Sequence, residues 1–230
     1  METAEAQGQT PRVVALHVGK PRDLPGVGTR KVERAWRTGI FKDPVTVPAR
    51  LGRTNLEGDG QADLRVHGGP DKAVLGYAAV HYPAWRDELG IASFGPGAFG
   101  ENFTISELDE RTVAIGDTFR VGDAVIQVSE PRGPCWKLAR RWSRPDLSAL
   151  VLKSGRTGWY FRVLEEGTVA PELELRLLER PAPEWTIDRV NRVSHGKDVA
   201  ASELVALAEC QWLAGGWRIW AGKRAAEAGV

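Results

Sequence analysis

"RTVAIGDTFRVGDAVIQVSEP", residues 111–131, decides the fold class. Two runs carrying Val, Ile and Phe flank Gly122-Asp123, a dipeptide suited to a tight turn, so the stretch reads as a β-hairpin. Outward from it the same grammar repeats. "RVVALHVG" (12–19) opens the fold as a strand, and "GWYFRVLEEGTVA" (158–170) reads as a second hairpin turning at Glu166-Gly167. In "ELELRLL" (172–178), Leu173, Leu175 and Leu177 fall on one face and Glu172, Glu174 and Arg176 on the other, a half-buried strand. Many short strands punctuated by Gly and Pro point to a barrel or sandwich. One helix interrupts them at "AAVHYPAWRDELG" (78–90), starting near Pro83 and stopping at Gly90.

The pattern changes after the Pro-rich stretch at 181–183. "TIDRVNRVS" and "ASELVALAECQWLAGGWRIWAGKRAAEAG" place Leu204, Leu207, Trp212, Leu213, Trp217 and Trp220 at helical spacing, with Ser202 as a candidate cap. The expected organisation is a loose N-terminal tail (1–11), a mainly β barrel domain (12–180) and a small C-terminal helical subdomain (184–230) of two or three helices.

Composition excludes several classes. The 31 basic and 30 acidic residues nearly cancel, so no global field favours nucleic acid and any anion site is a local cluster. No apolar run approaches the ~18 residues of a membrane span. "METAEAQGQTP" lacks the apolar core of a signal peptide. Two cysteines without a CxxC pair argue against a disulfide framework and for a reducing compartment, so a cytoplasmic protein is expected. There is no GxSxG elbow, Walker loop or HExxH. "GVGTRK" (26–31) is glycine-rich but follows no dinucleotide fingerprint.

Four stretches are too polar and too rich in glycine to be packing alone: "RTGIFKDPV" (37–45), "LEGDGQADLRVHGGPDKAV" (56–74), "FGENF" (99–103) and "EPRGPCWKL" (130–138). In the second, Gly68-Gly69 after His67 permits close backbone approach to a ligand, against the plainer reading of a Gly-Pro-Asp turn. In the last, Arg132 and Lys137 favour the thiolate of Cys135, and Pro131 and Pro134 stiffen its loop. A small buried thiol is the alternative. Cys210, at helical spacing with Ala206, Leu213 and Trp217, reads as packing. Trp136, beside the thiol, is the tryptophan expected to touch a ligand. A Cys135 pair with His67 or His81, as in cysteine proteases, stays open at this level, and a zinc site is disfavoured.

Taken together, "VGKPR", "TGIFKDPV", "GDGQAD…HGGPDKAVLGY", "HYPAW", "FGENF", "PRGPCWKL" and "TGWYFRVLEEGTV" occur in an order that resembles MOSC-domain proteins. The likeness is to the YiiM-like bacterial branch associated with 6-N-hydroxylaminopurine resistance, and it runs from about residue 12 to the end. It implies a MOSC β-barrel of the pyruvate-kinase-like type and binding of the molybdenum cofactor, with Cys135 a ligand of the molybdenum. The family's carried residues are Lys42, Asp59, His67, Lys72, Glu101, Asn102, Arg132 and Cys135. A thiolate suits a metal already held by sulfur. Lys42, Arg53, Lys72 and Arg132 are candidates for the cofactor's phosphate, with Gly68, Gly69 and Lys137 beside them. His67 and Glu101 are the candidate proton donors. The implied activity is reduction of small N-hydroxylated substrates, with electrons from a separate reductase, in a monomer or homodimer that binds neither nucleic acid nor membrane. A sulfur carrier with a persulfide on Cys135, or a non-catalytic cofactor-binding module, are the alternatives.

Overall fold

The computed structural model describes residues 10–26, 34–196 and 198–229. Residues 1–9, and with them most of the expected tail, lie outside this range, as does most of "GVGTRK".

The hairpin at Gly122-Asp123 forms as read. Strands β8 (Thr118–Val121) and β9 (Ala124–Pro131) pair antiparallel, with Val121 opposite Ala124 and Phe119 opposite Ile126. All eight residues of β9 are buried. It is an interior strand, and its continuous run of Val and Ile packs on both faces. Around it lie β1 (Val13–Val18), β4 (Asp43–Val45), β6 (Val74–Ala78), β7 (Phe103–Ile105), β10 (Trp159–Glu165) and β12 (Arg176–Glu179), giving one sheet in the order β12-β8-β9-β10-β6-β7-β1-β4. Only β6 and β7 run parallel within it, and helix α2 (His81–Leu89) makes that crossover. Gly90, in the left-handed conformation, returns its N–H to the Arg86 carbonyl and stops the helix.

The sheet curls into a half-barrel. Val13 N–H donates to the Leu173 carbonyl and Leu175 N–H to the Pro11 carbonyl, so the stretch entering β12 meets the start of β1. Two small antiparallel pairs flank it: β2 (Arg22–Leu24) with β3 (Trp36–Thr38), and β5 (Ala49–Leu51) with β11 (Gly167–Val169).

The second expected hairpin is not one. β10 pairs with β9 and β6, whereas β11 crosses to β5. Gly167 sits there because a Cβ would lie 2.5 Å from the Ala124 nitrogen; the glycine permits close approach of two backbones rather than a turn. In the following stretch Leu175 is buried, but β12 is exposed along its length and Leu177 is 43% exposed, because β12 is an edge strand.

After residue 184 come α5 (Ile187–His195), α6 (Ala201–Glu209) and α7 (Gly215–Glu227). Thr186 caps α5 by accepting from the Arg189 N–H. Ser202 lies inside α6, whose cap position is Ala200, so the expected serine cap does not form. Ile187, Val190, Leu204, Leu207 and Leu213 share one buried cluster with Phe119, Ile126 and Phe161 of the sheet. Fully burying a Leu, Ile or Phe side chain contributes roughly 1.5–3 kcal/mol, so these helices are held to the sheet by its own core. A second cluster, around Tyr77, Trp85, Phe94 and Phe99, packs α2 against α3 (Trp136–Arg141) and α4 (Leu147–Ser154).

Candidate functional site

Residues from all four polar stretches converge on one open cleft of about 640 Å³, its solvent-open mouth included. Its lining includes Lys42, Asp59, His67, Lys72, Asn102, Arg132, Cys135 and Lys137. Thr38, Gly39, Ile40, Gly60, Gln61, Leu75, Phe99 and Tyr160 complete most of the remainder.

One group of these residues is internally satisfied. Asp59 is buried and forms a short ion pair with the Lys42 ammonium. The same carboxylate accepts from the Gly19 N–H at 2.8 Å and from Asn102 Nδ2 at 2.9 Å. Asn102 also donates to the His17 carbonyl at 3.2 Å and accepts from the Leu75 N–H at 3.1 Å. This single amide therefore ties β1, β6 and the Asp59 loop together. Burial pulls the Lys42 pKa down from the ordinary lysine value, and Asp59 opposes that shift.

The other group has one unsatisfied member. Arg132 is 5% exposed; its Nη2 donates to the Phe99 carbonyl at 3.3 Å, and its Nη1 is buried without a partner. A buried guanidinium N–H left unpaired is costly unless a ligand completes it. Lys72 extends from the turn Pro70–Lys72, where it donates to the Val66 carbonyl at 2.9 Å and lies 3.3 Å from the Glu130 carboxylate. Gly69 enters that turn at φ +96°, a conformation other residues rarely adopt. Cys135 precedes α3, and its carbonyl accepts from the Leu138 N–H and the Ser148 hydroxyl. The loop is thus pinned from both following helices.

His67, at the end of α1 (Leu64–His67), has its pKa lowered from 6.5 by burial and then by Lys137, Arg132 and Lys72. The imidazole is neutral at neutral pH, so it offers an N–H or a lone pair rather than an acidic imidazolium. Tyr160, also in the lining, is pushed up to about 12, chiefly by burial, and keeps its O–H.

Not every expected residue belongs to this lining. Glu101 is fully buried, and its carboxylate accepts from Tyr82, the Gly97 and Phe99 N–H groups and Thr104. It holds the Gly97–Phe99 turn and has no access to the cleft. Arg53 turns to the end of β10: its N–H donates to Glu166 and its guanidinium to the Val163 carbonyl. Gly68 and Gly69 shape the turn that carries Lys72 and do not line the cleft. Trp136 is 48% exposed and leans on Trp36, ring centroids 5.6 Å apart, outside the lining. His81 bonds Glu110 at 2.6 Å and is not beside Cys135 in the cleft. Tyr160, Phe99, Gln61 and Ile40 were not singled out from sequence; the last three lie inside polar stretches that were, and Tyr160 lies in the strand stretch 158–170.

Comparison with known proteins matches the MOSC domain over residues 63–176. An uncharacterized protein, YflK, from Bacillus subtilis is 46% identical over 84% of this chain and 86% of its own. A Gibberella moniliformis protein named "Reductase" is 37% identical over 76% of this chain, which spans only 31% of it. The chain matches Escherichia coli YiiM at 40% identity over 62% of this chain and 65% of that protein. The crystal structure of YiiM from Geobacillus stearothermophilus superposes with a TM-score of 0.78 at 34% identity, covering 94% of this chain and 99% of that one. With the half-barrel and the C-terminal helices in common, the chain belongs to the MOSC family and is a YiiM-like member of it.

Proposed function

We propose that the protein binds the molybdenum cofactor and reduces small N-hydroxylated compounds, N-hydroxylated purine bases among them. The observation that carries this reading is the company Cys135 keeps. It shares a cleft with Lys42, Lys72, Arg132 and Lys137 on a chain of nearly zero net charge. Within that cleft Arg132 Nη1 is a buried donor still lacking an acceptor.

The residues present fit such a cofactor. Arg132, Lys72 and Lys137 would hold its phosphate, as charge-assisted hydrogen bonds favour. Cys135 would be the protein's thiolate ligand, a soft donor suited to the metal. When bound, the cofactor supplies the two electrons. The overall change balances as R–NH–OH + 2 e⁻ + 2 H⁺ → R–NH₂ + H₂O. A separate reductase supplies the electrons, since no flavin, nicotinamide or iron–sulfur motif is present in the chain.

The chain's own part is binding, orientation and proton placement. Tyr160 keeps an O–H at neutral pH, and neutral His67 keeps one N–H. Either delivers a hydrogen bond to the departing oxygen. An anion bound among Arg132, Lys72 and Lys137 offsets their charge at His67 and makes the imidazolium easier to form. The test is conversion of 6-N-hydroxylaminopurine to adenine by protein loaded with cofactor and given a chemical reductant. Multiple turnovers are expected. A labile persulfide on Cys135 with no turnover would overturn the reading in favour of a sulfur carrier.

A further inference from the structure

Three residues on neighbouring strands each touch two things at once: the turn that carries Lys72, and the segment 212–217 between and within the C-terminal helices. Arg162 of β10 donates through Nε to Asp71 Oδ1 at 2.8 Å and through Nη1 to the Trp212 carbonyl at 2.9 Å. Ser129 of β9 donates to the Asp71 carbonyl at 2.6 Å, while its own carbonyl accepts from the Ala214 N–H at 2.9 Å. Glu130 lies 3.3 Å from Lys72 Nζ, and the Trp217 side chain lies against the same carboxylate.

From this pattern we infer that residues 212–217 buttress the cation site from behind, and that Arg162 is its principal positioning residue. The inference rests on the reading that the cleft takes the cofactor's phosphate. A lysine ammonium on a four-carbon stem is a poor anion ligand unless its backbone is fixed, because binding must then order both. Asp71 immediately precedes Lys72, so a bond to Asp71 fixes the point from which Lys72 departs. The side chain of Arg162 is 19% exposed and that of Asp71 38%, so the guanidinium end of the clasp is mostly shielded from water and the carboxylate end is partly open. The C-terminal helices thereby take part in cofactor binding without contributing a residue to the lining.

The test uses the full-length, cofactor-free protein with inorganic phosphate as probe, by titration calorimetry, alongside thermal unfolding. Lys72→Met gives the reference loss. Arg162→Met should weaken phosphate about tenfold, the lower end of what orienting partners cost in metal sites. Arg162→Lys should recover part of it. Arg180→Met is the control: Arg180 pairs with buried Asp117 at 2.7 Å and has no place in the cleft, so it should lower Tm and leave phosphate affinity unchanged. Arg162→Met with wild-type phosphate affinity, while Lys72→Met loses it, overturns the positioning role and leaves the anion site standing. Wild-type protein that takes up no phosphate removes the anion site and the inference with it.

Discussion

The two charged groups of the cleft are built on opposite terms. Around Lys42 every partner is supplied: Asp59 takes the ammonium, and Asn102 and the Gly19 N–H complete the carboxylate. Around Arg132 one buried N–H has nothing to bond, and burial, followed by the neighbouring cations, lowers the pKa of His67. The first arrangement holds the walls together. The second leaves a buried donor open. On the proposed function, the difference separates residues kept for the fold from residues kept for a ligand, although all of them are polar and line one space.

The largest effect comes from breaking the satisfied side. Asp59→Ala strands a buried lysine, and loss of one partner from a buried pair costs about 3–5 kcal/mol. Urea unfolding should show that loss. If stability stays within about 1 kcal/mol, the Lys42–Asp59 pair is not structural.

Arg132→Met should behave in the opposite way. It removes an unsatisfied buried donor together with the long Nη2 bond to the Phe99 carbonyl, two opposed effects of similar size, so stability should stay within about 1 kcal/mol of wild type. Affinity for phosphate or cofactor should fall roughly tenfold to a hundredfold, the worth of one charged hydrogen bond of about 1.5–3 kcal/mol. Equal phosphate affinity in this variant and in wild type would erase the contrast between the two groups.

His67 gives the smallest effect and the finest probe. Its folded pKa lies below 6.5, so the unfolded chain binds the proton first. Its contribution to stability is therefore fully present above pH 6.5 and declines as pH falls from there toward the folded pKa. His67→Gln should flatten that part of the stability curve. The ring's NMR titration should lie below 6.5 in cofactor-free protein and move upward when phosphate is added. A midpoint at or above 6.5 without phosphate would contradict the buried, cation-lined surroundings, and a midpoint that phosphate leaves unmoved would remove the cations' share.

Much of the cleft was legible because its residues cluster in short polar, glycine-rich stretches, and eight of the expected positions line it. Glu101 misled because a carboxylate in a polar motif reads the same whether it faces a ligand or caps a turn; only its four donors separate the cases. In the fold, Gly122-Asp123 was readable because the turn and its pairing are local. Glu166-Gly167 was not, because β11 finds its partner more than a hundred residues away in β5. Alternation reports which face is buried and says nothing of which strand lies beside it. Helices α3 and α4 went unread because they are short and follow a motif that drew attention to its cysteine.

The central claim is that Cys135 belongs to a ligand site and Cys210 to the core. Cys210 is 6% exposed, and burial raises its thiol pKa, whereas Cys135 opens onto the cleft. The direct measurement is molybdenum content of wild type, Cys135→Ser and Cys210→Ser, purified from a host that makes the cofactor. The account predicts that Cys210→Ser retains the metal at the wild-type level and Cys135→Ser loses most of it. Equal molybdenum in wild type and Cys135→Ser would contradict it.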